Sequence, residues 1–171
     1  MMPSARSLLV RAWLVTAVVD FCFASALGVA AYHSTVARVW QGVASVLLGP
    51  GALQGGSRTV AIGVVLHLGV ALVWTSLFVA LVASWPRLRA AIASPAGVAA
   101  VAAVYGPLIW CAMSIVVIPR FTGRLPTFAA RWWLQLPAHA AFVALPMVAT
   151  VAREIAAPNL EARAAAARAS S

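Results

Sequence analysis

Apolar residues crowd four stretches of the chain, 12–31, 60–83, 98–118 and 131–152, and short basic or proline-containing segments separate them. The clearest stretch is 60–83, VAIGVVLHLGVALVWTSLFVALVA, which carries no formal charge and a single histidine, His67. At 1.5 Å of rise per residue, a helix of this length crosses a hydrocarbon core of roughly 30 Å. The pattern predicts an all-α polytopic membrane protein, a bundle of four transmembrane helices followed by a polar, basic tail over 153–171.

Between the first two spans the periodicity changes. Val36, Val39, Trp40, Val43, Val46 and Leu47 recur at spacings of three and four, while Arg38, Gln41 and Ser45 fall elsewhere. This predicts an amphipathic helix over 36–48, too short to span, lying in the interface or across the bundle end with Trp40 at headgroup depth. A re-entrant segment is the alternative, because the glycine-rich run that follows it could enter the membrane only if buried in protein or lining a watery cavity. Pro107 should kink the third span, while Pro137 and Pro146 fall inside the fourth, where neighbouring groups can satisfy the freed carbonyls. Trp132 and Trp133 read as an interfacial aromatic pair. The tail should carry a frayed helix after Asn159.

Composition removes the soluble alternatives. Charged residues make up 9% of the chain and the mean hydropathy is +0.98, against about 25% charged residues in soluble domains. The net charge of +9 comes from twelve arginines against Asp20, Glu154 and Glu161. In a soluble domain that excess would suggest nucleic acid. Here the arginines sit between apolar runs, so they read as topology anchors and contacts to anionic headgroups of the lipid bilayer, at about 1 kcal/mol each. With the N-terminus inside, seven arginines fall on the cytoplasmic side and five opposite, which leans towards both termini being cytoplasmic. The basic lead and apolar run at the start also resemble a signal peptide, but the run is longer than a usual h-region and contains Asp20, so it is taken as the first span.

Candidate chemistry lies with the polar residues inside the spans. Thr16, Asp20, Ala24 and Gly28 recur every four residues, which places the acid on a stripe of small residues that should face protein. His67 lies nine residues after Arg58, and His139 eight after Arg131, on spans that run in the same direction. The two imidazoles therefore share a depth of roughly 12–14 Å, with Asp20 nearer the midplane. Three readings compete. Asp20 with His67, and His139 with Gln135, could be structural contacts between or within helices. Asp20, His67 and His139 could mark a proton, ion or small-solute path, since histidine titrates near physiological pH. His67 and His139 could also be axial ligands of a haem b, with Arg58 and Arg131 on its propionates.

Other chemistries lack their residues. The chain has no CxxCH, no HExxH, no serine in a nucleophile elbow and no lysine for a phosphate loop. Cys22 and Cys111 read as buried apolar cysteines and His33 as a solvated interfacial group; no metal site or enzymatic activity is expected.

The second span with its histidine and trailing aromatics, Trp85-Pro86-Arg87, a third span ending in Ile118-Pro119, and Ala138-His139 in the fourth together resemble the YagU-like group of small bacterial inner-membrane proteins, over about residues 58–152. The resemblance implies a bacterial cell inner-membrane location and a four-helix core, and supplies no reaction. The expectation is a non-enzymatic subunit or accessory protein, with a membrane protein partner or a homo-oligomer and no nucleic acid. The transport element and the haem carrier stand as alternatives.

Overall fold

The computed structural model describes residues 5–169, with side chains through residue 157. Among the described residues there is no strand. Four helices are long and apolar enough to cross a membrane: Ala5–Ala30, Gly56–Ser84, Pro95–Thr122 and Ala130–Ala157. We call these the first to fourth spans. A cross-helix, Val36–Leu48, joins the first to the second, and a short helix, Pro86–Ala91, joins the second to the third. The chain is an all-α polytopic bundle. Every span outruns its apolar stretch, because helical hydrogen bonds go on satisfying the backbone through the headgroup layer. The last helix continues unbroken from Leu145 to Ala169, past the point where fraying was expected.

The spans alternate in direction, so the bundle has a cross-helix end and an opposite, N-terminal end. The first span packs between the second and the fourth, and the third packs on the fourth. Lipid supplies no hydrophobic drive for helices to associate, so close packing and hydrogen bonds must do so. Indole and phenol groups supply several bonds to carbonyls that already serve their own helix, since each oxygen has a second lone pair. Trp13 Nε1 donates to the Leu68 carbonyl at 2.9 Å, Tyr105 Oη to that of Trp74 at 2.9 Å, and Trp110 Nε1 to that of Trp132 at 3.1 Å. At the N-terminal end Arg11 and Glu154 pair at 2.9 Å between the first and fourth spans. The core of the bundle lies towards this end, where Phe78, Val82, Ala102, Tyr105, Met147, Val148 and Val151 are buried together.

Proline shapes the third and fourth spans. The third passes through Pro107, and its departure from α geometry falls later, in a π-helical turn at Ala112–Val117 closed by the Ile118 N–H on the Met113 carbonyl. The fourth has a matching turn at Ala140–Ala144, closed by the Leu145 N–H on the Ala140 carbonyl. Each turn ends two residues before a proline, Pro119 or Pro146. A proline ring crowds the carbonyl four residues back and has no N–H to donate. Widening the helix just upstream eases both conflicts.

Three sequence expectations need correction. Trp40 is 1% exposed rather than at headgroup depth: it stacks on Phe21 at 4.4 Å and its Nε1 donates to Ser25 Oγ at 3.2 Å. The cross-helix buries Trp40, Gln41 and Ala44, with the Gln41 amide on the Gly56 carbonyl, while Val36 and Leu47 are exposed. Its buried face is rotated from the apolar one, with the Gln41 amide sharing the Gly56 carbonyl with Thr59 Oγ1. Of the tryptophan pair only Trp133 is exposed; Trp132 is buried with its Nε1 on Ser114 Oγ at 3.1 Å. Cys22 is exposed on the bundle surface and Cys111 half-buried, so neither is a core cysteine.

The third and fourth spans touch at Gly106, where a Cβ would collide with the backbone of His139 and Ala140. Gly69, by contrast, has open space around its Cα. We expect Gly106→Leu to destabilise the purified protein by about 1–3 kcal/mol or more, read as a lowered unfolding midpoint in mild detergent, and Gly69→Leu to leave the midpoint unchanged. Equal midpoints for the two variants would contradict this packing.

Candidate functional site

Towards the cross-helix end the second and third spans diverge, and the space between them is a cavity of about 420 Å³. The second span contributes Leu66, His67, Val70, Ala71 and Trp74; the third contributes Ile109, Trp110, Met113, Val117, Ile118 and Phe121. Val43, Val46 and Leu47 of the cross-helix roof it, Asp20 enters from the first span, and His139, Val143 and Met147 from the fourth. The π-helical turns supply Met113, Val117 and Val143 to its wall. Its inner end meets the packed core at Ile109 and Met147, the latter fully buried. Such a volume falls within the range of small-molecule sites, roughly 300–1,000 Å³.

The roof is held by contact at glycine. A Cβ on Gly63 would meet the Trp40 carbonyl, and one on Gly28 would meet the Val39 side chain, so the cross-helix lies directly on the backbones of two spans. Thr35 Oγ1 caps its first turn by accepting the Arg38 N–H at 3.2 Å. Trp40 then places its indole 4.9 Å from the His67 ring.

The three ionisable residues singled out from the sequence all reach this cavity. His67 Nε2 donates to the Ala17 carbonyl at 3.1 Å, and its Nδ1 lies 3.7 Å from an Asp20 carboxyl oxygen. A carbonyl can only accept, so Nε2 carries a proton, while Nδ1 faces the Asp20 carboxyl at 3.7 Å, beyond hydrogen-bond length. His139 is held differently. Its Nδ1 donates to the Gln135 carbonyl one turn back at 2.9 Å, and Trp110 lies against its ring at 4.9 Å. In the neutral ring Nε2 is then an acceptor without a hydrogen-bond partner among the described residues.

Bis-histidine ligation would require each imidazole to offer a nitrogen lone pair to one iron. His139 Nε2 has no hydrogen-bond partner among the described residues, whereas His67 Nε2 is taken by the Ala17 carbonyl and its Nδ1 faces Asp20 at 3.7 Å. Arg58 and Arg131 are exposed, and Arg131 sits 5.2 Å over the Tyr32 ring. A proton or ion path through Asp20, His67 and His139 would have to continue past the core, and among the described residues the inner wall is closed by apolar side chains. His33 is exposed. What the sequence did not mark is the aromatic and aliphatic wall itself: Trp74, Trp110 and Met113 look like any other span residues.

No family model, no curated protein and no solved structure matches the chain.

The site predicts coupling between Asp20 and His67. In a double-mutant cycle of Asp20→Ala and His67→Phe, unfolding in detergent should give an interaction free energy of about 0.6–1.7 kcal/mol. Strict additivity would mean that the two side chains do not interact.

Proposed function

We propose that this chain is a non-enzymatic integral membrane protein that holds a small lipid-soluble molecule in the cavity beneath the cross-helix, as a carrier or an accessory subunit. The observation that supports this most is convergence. Asp20, His67 and His139 come from three different spans and all line one cavity whose remaining walls are apolar. Such a site favours a ligand with an apolar body and a single polar group. His139 Nε2 would accept a hydrogen bond from a ligand hydroxyl, while Asp20 and His67, the latter bonded to the Ala17 carbonyl, provide a second polar contact. The closed inner wall favours binding from one side over a route across the bundle. A bacterial inner-membrane location with both termini in the cytoplasm, and kinship with the YagU-like group, belong to the same proposal; they rest on the arginine distribution and on the quoted sequence resemblance.

A photoreactive twelve-carbon alcohol with a chain diazirine tests this reading. Irradiated with the protein in native membranes, it should label peptides containing Trp110, Met113 and Met147, as mapped by mass spectrometry. Val70→Trp, which fills the cavity from the second span, should remove that labelling while labelling of lipid-facing Val104 persists. Cavity labelling that is unchanged by Val70→Trp would overturn the proposal.

A further inference from the structure

A second cavity, of about 760 Å³, lies at the N-terminal end between the short helix Pro86–Ala91, the start of the third span and the fourth span. Its walls are apolar, with Val98, Leu145, Ala149 and Ile155 among them, and it is edged by Arg89, Arg153 and Ser94. We propose that it binds one anionic phospholipid, with the phosphodiester between Arg89 and Arg153 and an acyl chain along Val98, Leu145 and Ala149.

Three observations support the assignment. The first is depth. Arg153 lies 23 residues beyond Ala130, roughly 35 Å along the helix, which brings it to a headgroup layer when the fourth span starts at the other. Leu145 and Ala149 lie one to two turns inward, at acyl-chain depth. The second is preorganisation. Arg89 Nε and Nη2 donate to the Val82 carbonyl at 3.3 and 3.2 Å, and Nη2 to that of Ala83 at 2.8 Å, so the guanidinium is pinned to the end of the second span by neutral carbonyls rather than by a carboxylate. The third is the absence of competing acid. Among the described residues no carboxylate lines the cavity, and Glu154, next to Arg153 in sequence, is turned to Arg11 at 2.9 Å. Among the described residues neither Arg89 nor Arg153 has an ion-pair partner. A basic pocket between helices that continues into an apolar groove is complementary to a lipid with a charged phosphate and an extended chain. It does not suit a free anion, which would leave the apolar wall uncovered, or a zwitterionic lipid, whose ammonium would sit against two guanidinium groups.

Native mass spectrometry of the detergent-purified protein, titrated separately with phosphatidylglycerol, phosphatidylcholine and inorganic phosphate, tests the site. Phosphatidylglycerol should give a saturable one-to-one adduct at concentrations where the other two give none. Arg153→Gln, which removes no hydrogen bond seen in the structure, should weaken that adduct about fivefold, and Arg89→Gln by a similar factor. Arg87→Gln, on the same short helix but outside the cavity, should leave it unchanged. Equal binding of phosphatidylcholine would show a non-selective lipid groove, and binding of inorganic phosphate at the same concentration would show a simple anion site. Either result, or an Arg87→Gln effect equal to that of Arg153→Gln, would overturn the proposal.

Discussion

The cross-helix meets the second span through the Trp40 carbonyl against Gly63, with no side chain between the two backbones. The cavity depends on this contact. It brings Val43, Val46 and Leu47 over the gap between the second and third spans, and it carries the Trp40 indole to His67 and Phe21. The remaining connections follow from the scarcity of water. A polar atom inside the bundle has to find a partner in protein, so tryptophan and tyrosine donate to carbonyls of neighbouring spans, and His67 binds the first span through Ala17. The molecule is thus tied by bonds from side chains to backbone, with few between side chains.

These ties divide the bundle into two halves with different properties. Towards the N-terminal end aromatic and branched side chains fill the interior, and the Arg11–Glu154 pair closes the outer edge. Towards the cross-helix end, the second and third spans are bridged at Tyr105 and Trp74 and then separate. Pro119 and Pro146 follow π-helical turns whose wider geometry places Met113, Val117 and Val143 at the cavity wall. Residues that look like helix breakers in an apolar segment are here what gives the wall its shape.

Much of the architecture was readable from hydropathy, because a chain in lipid must satisfy its backbone by helices and must make them long enough to cross. The common depth of His67 and His139 followed from counting residues after Arg58 and Arg131, and both rings do line one cavity. Rotation was not readable. Whether Trp40 faces headgroups or protein depends on Gly63 and Gly28 admitting the helix closely, and a composition-based amphipathic pattern does not register close approach by glycine. The same gap hid the split between Trp132 and Trp133, which turns on Ser114 of another span. Nor could sequence spacing reveal that His67 Nε2 is taken by the Ala17 carbonyl of the first span.

The most direct test of the roofed cavity is a cross-link over its mouth. In a chain whose Cys22 and Cys111 are replaced by alanine, cysteines at Leu47 and Phe121 face the same cavity from the cross-helix and the third span. A short bifunctional thiol reagent should join them within one chain in native membranes, and Gly63→Leu, which lifts the cross-helix from the second span, should abolish the product. Absence of the cross-link in the parent chain, or its persistence in Gly63→Leu, would contradict the account.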